Sequence, residues 1–174
     1  MVTDYAGARD VLHRRLERIF EPESFGGAYP NAKAPKVYLG FPVTEPPFYA
    51  AVDEIVEAAA TSGGVSMGHA EVGFTLHVWL CAQHADLKTA ADTLLAYIDA
   101  IFGAVMADPQ LCGKVDSAFT SIETAGTAAD SSKRYIAAAS VAVACTVYSA
   151  CPASIAQAVA ESNQAMREER SDEG

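Results

Sequence analysis

The stretch "EVGFTLHVWLCAQ", residues 71–83, decides the fold because it contains the most regular alternation in the chain. Apolar side chains occupy every second position, at Val72, Phe74, Leu76, Val78 and Leu80. Successive side chains of a strand point to opposite faces of a sheet, so this spacing predicts a strand with one continuous apolar face. Other elements must cover that face.

The segments after this strand follow in a clear order. Residues 85–106 place their apolar side chains on one helical stripe, which predicts a long helix. Residues 114–125 and 134–150 then predict two strands. The connection between these strands, "GTAADSSK", has the glycine, aspartate and serine content of a hairpin turn.

A hinge, "MADPQLCGKV", separates the long helix from the next strand. Pro109 cannot continue a helix and disfavours helical geometry at Asp108. Gly113 permits a backbone turn that a side chain would resist, and Leu111 is expected to pack back under the helix end.

The N-terminal third predicts a helix, a loop and a short strand. Residues 5–19 have helical apolar spacing, with Thr3 or Asp4 as the cap, and the helix should stop near Phe20. Prolines and glycines in the following stretch predict a loop, after which "KVYLGFPV" is a plausible strand. The stretch "FYAAVDEIVEAAAT" fits both a helix and a strand.

Taken together, these elements predict an α+β domain over residues 1–152. Its sheet should be mostly antiparallel, with about four to five strands, flanked by the N-terminal helix and the long central helix. Residues 153–174 should form a C-terminal helix with a charged tail, because Ser154 and Gln157 have the spacing of a capping box after Pro152.

Composition limits the function. The 174 residues carry 12 Lys and Arg against 22 Asp and Glu, a formal charge of −10, which argues against a surface that grips nucleic acid. The first twenty residues lack the pattern of a signal peptide, and no uninterrupted apolar run is long enough to span a bilayer. We therefore expect a soluble protein made in a cytoplasm, without a membrane partner.

No set of residues predicts catalysis, a cofactor site or a metal site. The four cysteines form no CxxC pair and are interpreted as buried, reduced thiols. Residues 64–68 match the G-x-S-x-G spelling of a nucleophile elbow, but a strand follows Ser66 where an elbow requires a helix. His77 could be a general base, although a half-buried, hydrogen-bonded histidine is the simpler interpretation.

The order of elements points to a family. "SMG" leading into the strand of residues 71–83, the long helix, "DPQLCGKV" and a closing strand together resemble tail terminator or tail completion proteins, a class of minor tail protein, of long-tailed bacteriophages. The likeness covers residues 5–150. Its most specific parts are the helix ending in Asp108-Pro109-x-Leu111-x-Gly113, with Val115 opening a strand, and Met67-Gly68 ahead of a hydrophobic strand. It implies a mixed sheet flanked by helices, and it favours a strand for "FYAAVDEIVEAAAT".

The resemblance also implies a non-enzymatic role in virion assembly. Six copies of the phage or prophage protein would form a hexameric ring that caps the completed tail tube and faces the head connector. The ring would assemble in the cytoplasm of the bacterial host and remain in the virion tail. An acidic or neutral lumen would let DNA pass without tight binding.

By the same resemblance, the loops at residues 61–70 and 126–133 are candidate subunit or partner contacts. The candidate interface residues are Ser66, Met67, Gly68, Asp130, Lys133 and Arg134. Ordinary solvent-exposed turns, with surface charges of little energetic consequence, are the alternative. For the whole chain, the alternatives are a head-tail joining (neck) protein, or an unrelated small-ligand binding or hydrolase domain with a pocket around His77 or Ser66.

Overall fold

A computed structural model describes residues 3–44, 46–60, 69–129, 133–150 and 153–172. Within those ranges it has four helices and six strands and confirms the α+β fold. The elements are α1 (Tyr5–Ile19), α2 (Pro22–Ala28), β1 (Lys36–Leu39), β2 (Phe48–Val52), β3 (Glu57–Ala60), β4 (His69–His84), α3 (Leu87–Ala107), β5 (Ser117–Ala129), β6 (Tyr135–Ala150) and α4 (Ala153–Asp172).

The strands form a single mixed sheet in the order β1-β2-β4-β6-β5, and β3 also pairs with β4. β1 is parallel to β2, while every other pairing is antiparallel. β2 and β3 pair with the same edge of β4, one after the other, so the sheet is five strands wide. The mostly antiparallel sheet predicted from the sequence is therefore confirmed.

The ambiguous stretch before the glycine-rich segment is extended, as predicted, but it is interrupted. β2 ends where Val52 pairs with Val78, and β3 resumes where Glu57 pairs with Thr75. Four residues on this edge thus face only two on β4, which breaks the ladder like an enlarged bulge.

The core lies between the helices and one face of the sheet. α1 contributes Leu12 and Leu16, and α3 contributes Tyr97, Ile101 and Val105, all of them fully or almost fully buried. The alternating apolar side chains of β4 that the sequence predicted face this layer. Of these side chains, Phe74, Leu76, Val78 and Leu80 are buried in the core.

Two local predictions near the N-terminus have different outcomes. Asp4 caps α1, because its Oδ1 accepts a hydrogen bond from the Gly7 N–H at 2.8 Å. The prediction of a plain loop after Phe20 was wrong, since α2 forms there. Proline suits the first turn of a helix, and Phe25 is buried against the Phe20 ring, 5.3 Å away between centroids.

Among the described helices, α3 alone has the length and apolar composition to cross a membrane. Its buried stripe packs against β4, β5 and β6 in the domain core. The apolar character of α3 is therefore that of a core helix.

The hinge after α3 is a left-handed turn. Leu111, Cys112 and Gly113 have φ values of 46°, 56° and 75°. Leu111 is fully buried, as predicted. A side chain in this backbone region costs about 1 kcal/mol, so the turn needs other contacts to hold it.

Asp108 supplies those contacts. Its Oδ2 accepts from the Cys112 N–H at 2.8 Å and from the Arg15 guanidinium at 2.5 Å, and its Oδ1 accepts from the Gln110 N–H at 3.2 Å. The Cys112 hydrogen bond and then the Arg15 contact lower the pKa of the Asp108 carboxyl below its ordinary value of 3.8. Arg15 also donates to the Ala104 and Asp108 carbonyls, so it caps the end of α3.

Two glycine substitutions test the hinge. Gly113→Ala should lower the free energy of unfolding by about 1 kcal/mol, because the left-handed backbone disfavours a side chain. Gly103→Ala, inside α3, should raise it by up to about 1 kcal/mol, because alanine is the better helix former. An added Cβ meets no atom within 4 Å at either position, so clashes do not enter. Urea denaturation measures the free energy of unfolding of both variants. If the two substitutions changed it in the same direction, this account of the hinge would be contradicted.

Replacing Asp108 tests whether its ionised carboxylate stabilises the fold. A lowered pKa in the folded state adds stability above the unfolded pKa of about 3.8, and that stability is lost as the pH falls through the folded pKa. Asp108→Asn should therefore be less stable than the wild type at pH 7, with the difference narrowing towards pH 3. Urea midpoints at several pH values measure the gap, with Asp10→Asn in the partly buried Arg9–Asp10 pair as the control. A gap that does not change with pH would refute the assignment.

Candidate interaction surface

The sheet has a second face that no helix covers in the described part of the chain. We define the open face as the side of the sheet that carries Trp79, Phe119, Ile136 and Tyr148, opposite the helices. The side chains of Phe119 and Tyr148 are 70% and 65% exposed. Large apolar side chains clustered on one exposed surface are typical of a contact site.

The open face has its own small apolar cluster. Tyr49, Ala51 and Cys81 are buried there, although no helix lies above them. Trp79 and Ile136 pack against this cluster, and the Phe41 ring lies 5.4 Å from the Trp79 ring. Part of the surface that points away from the helices is therefore apolar.

A shallow groove of about 450 Å³ crosses the open face near the start of β6. Trp79 contributes an indole Nε1 that is buried and has no hydrogen-bond partner among the described residues. Buried donors in folded proteins nearly always have an acceptor, so this unpaired donor is unusual within the described part of the fold. The lining residues are Tyr49, Trp79, Leu80, Thr124, Ala125, Gly126, Thr127, Ala128, Ile136, Ala138 and Ala139.

A polar cluster lies beside the groove. The register of β5 against β6 shifts between Ile122 and Thr124, and this irregularity places Glu123 on the open face. Glu123 Oε2 lies 3.0 Å from His77 Nδ1 and accepts from the Ser140 hydroxyl at 2.9 Å. Ser140 is buried, so the carboxylate satisfies a donor that water cannot reach.

The geometry of this cluster bears on its chemistry. A serine nucleophile needs a hydrogen bond to its base, with the acid on the far side of the histidine. Here Ser140 and His77 both contact the same oxygen of Glu123, and the other ring nitrogen of His77 lies 3.5 Å from Glu57. The cluster is thus centred on a carboxylate and is arranged differently from a serine triad.

The predicted interface residues fall into two groups. Ser66, Met67, Gly68 and Asp130 lie outside the described residues, and so does the G-x-S-x-G match. Lys133 and Arg134 are exposed at the entry to β6, with no ion-pair partner in the described ranges. Residues 61–68 precede the opposite end of the β4–β6 pair, which is roughly 50 Å long at 3.3 Å per residue.

The cysteine prediction holds for two residues that the structure describes. Cys81 and Cys145 are buried and neither forms a disulfide, and burial raises the pKa of the Cys145 thiol to about 12. Cys112 is exposed on the left-handed turn, so the prediction was wrong there. Cys151 lies outside the described residues. Among the described side chains, no group of three or more His, Cys, Asp or Glu could hold a metal ion.

The sequence contained one usable sign of the open face. The apolar pattern of β6, "YIAAASVAVACTVYSA", is nearly continuous instead of alternating. Such runs are typical of strands buried on both faces. The run therefore indicated a second apolar face, although it did not say what covers it.

Comparisons with known proteins leave the family undecided. No protein-family model and no curated protein matches this chain. The likeness to phage tail terminators thus stays a prediction from the sequence.

The role of Glu123 can be measured against its neighbour Glu57. Glu123→Ala should lower the free energy of unfolding by about 1–2 kcal/mol, because the buried Ser140 hydroxyl loses its acceptor. Glu57→Ala should cost less than about 0.5 kcal/mol, since its side chain is 79% exposed. Chemical denaturation compares the two variants, and equal losses would show that Glu123 is only a surface carboxylate.

Proposed function

We propose that this protein is a non-enzymatic structural subunit of a long-tailed phage or prophage. In this proposal it forms a hexameric ring at the end of the tail tube and joins the tube to the head connector. Assembly takes place in the cytoplasm of the bacterial host, and the ring stays in the virion tail.

One observation carries the proposal: the domain has helices over one face of its sheet and exposed large apolar side chains on the other. Its helices cover the first face, while Phe119 and Tyr148 are exposed on the second. A subunit that works only in an assembly needs surfaces of this kind, because burying them against a neighbour supplies the free energy of association.

The charge of the chain supports a conduit for DNA. With a formal charge of −10, the subunits repel phosphates and do not hold them. Lys133 and Arg134 are exposed exceptions that can pair with an acidic neighbour. A head-tail joining protein would share these features and differ only in its partner.

The groove supports a second candidate, a small-ligand binding domain. Its volume of about 450 Å³ and its mostly apolar lining would suit a compact, largely apolar ligand. Such a protein would function without assembling into rings.

Measuring the mass of the purified chain separates these functions. We expect six-subunit particles by light scattering on a sizing column, and six-fold rings by negative-stain imaging. A templated assembly can require its partner, so the same measurement is repeated with purified tail tubes. A monomer under every condition, together with saturable binding of a small apolar ligand quenching Trp79 fluorescence, would replace the ring by the binding-domain function.

A further inference from the structure

We propose that helix α4 of one copy docks into the groove on the open face of a second copy. The contact is heterologous, meaning that two different surfaces of the same chain meet, so repetition generates a ring or an open filament. The inference rests on the proposed function only for the closure of this contact into a ring.

Helix α4 is amphipathic in the part that the structure describes. Every side chain that the structure describes on it is exposed, including Ile155 at 53% and Val159 at 52%. Together with Ala158 and Ser162 these residues have the i, i+3, i+4, i+7 spacing of one helical face. Helices of this pattern bind by laying the apolar face into a groove.

The groove provides the matching surface. Tyr49, Trp79 and Ile136 give it an aromatic and aliphatic floor, and small residues such as Gly126 and Ala138 leave room for a helix backbone. On α4, Ile155 and Val159 supply apolar side chains that can pack on this floor.

Charge gives the contact a direction. Residues 161–172 of α4 contain four acidic residues and two arginines, and the C-terminal end of a helix carries a partial negative charge. Lys133 and Arg134 directly precede β6, close in sequence to Ile136 at the end of the groove. The acidic end of the docked helix therefore points towards these two cations.

Chain geometry requires a second copy. The groove reaches Ala139 on β6, and α4 follows Ala150, eleven residues and roughly 36 Å further along the strand. From Ala150, the three residue steps to Ala153 and the helix from there to Ser162 span at most about 24 Å. The apolar face of α4 cannot reach the groove of its own chain.

Two double variants of the full chain test the contact. The helix variant carries Ile155→Glu and Val159→Glu, and the groove variant carries Thr124→Glu and Ala138→Glu. All four positions are exposed, so the fold should be retained, which thermal unfolding checks. The control carries Leu95→Glu and Met106→Glu, two equally exposed apolar positions on α3, away from the open face.

We expect the control to assemble like the wild type and each test variant to be monomeric. Mixing the two test variants should restore one contact, between the intact helix of one and the intact groove of the other. Analytical ultracentrifugation should then detect a 1:1 heterodimer that grows no further.

The possible outcomes distinguish a failure of the α4–groove contact from a failure of the proposed ring function. If both test variants assemble like the wild type, the inference is wrong, while the proposed ring stands on another interface. If no heterodimer forms at tenfold higher concentration, the inference is also wrong. If the wild type forms no ring but the mixture gives the heterodimer, the contact is supported and the ring function fails.

Discussion

The structure depends on the pairing of β4 with β6. These strands stay in register over sixteen residue pairs, from His69 opposite Ala150 to His84 opposite Tyr135. The register fixes which side chains lie under the helices and which lie on the open face, because a slip of one residue would exchange the two sets. It also brings Trp79 opposite Ser140, so the groove and the polar cluster follow from the same pairing.

The helical layer is tied to the sheet at the end of α3. Arg15 on α1 and the N–H groups of the left-handed turn converge on Asp108, and the turn then inserts Leu111 into the core. One carboxylate therefore compensates for the unfavourable backbone of the turn and joins α1 to the end of α3. Strain at this position is retained because several neighbours fix the same geometry.

Much of the fold could be predicted because local pattern and tertiary environment agree. The alternation in β4 and the stripe on α3 report directly which side is buried, and Pro109 and Gly113 mark the turn between layers. Two features were missed for physical reasons. α2 forms because Phe25 finds a pocket between Phe20 and Tyr97, a tertiary contact that overrides a glycine-rich sequence. The break between β2 and β3 depends on register with β4, which composition does not encode.

The open face could not be interpreted from the sequence because an apolar pattern shows that a strand face is suited to burial, but not which partner would bury it. Burial of apolar surface is favourable in the same way within one chain and between chains. The sequence pattern of β6 is therefore the same whether its second face is buried by its own chain or by another.

The net charge affects how readily two copies of the chain associate. Subunits of charge −10 repel one another over roughly the 8 Å Debye length, whereas an apolar groove attracts only on contact. In the proposed ring, a surface that holds the copies side by side removes that barrier, which favours assembly on a finished tube over assembly in free solution.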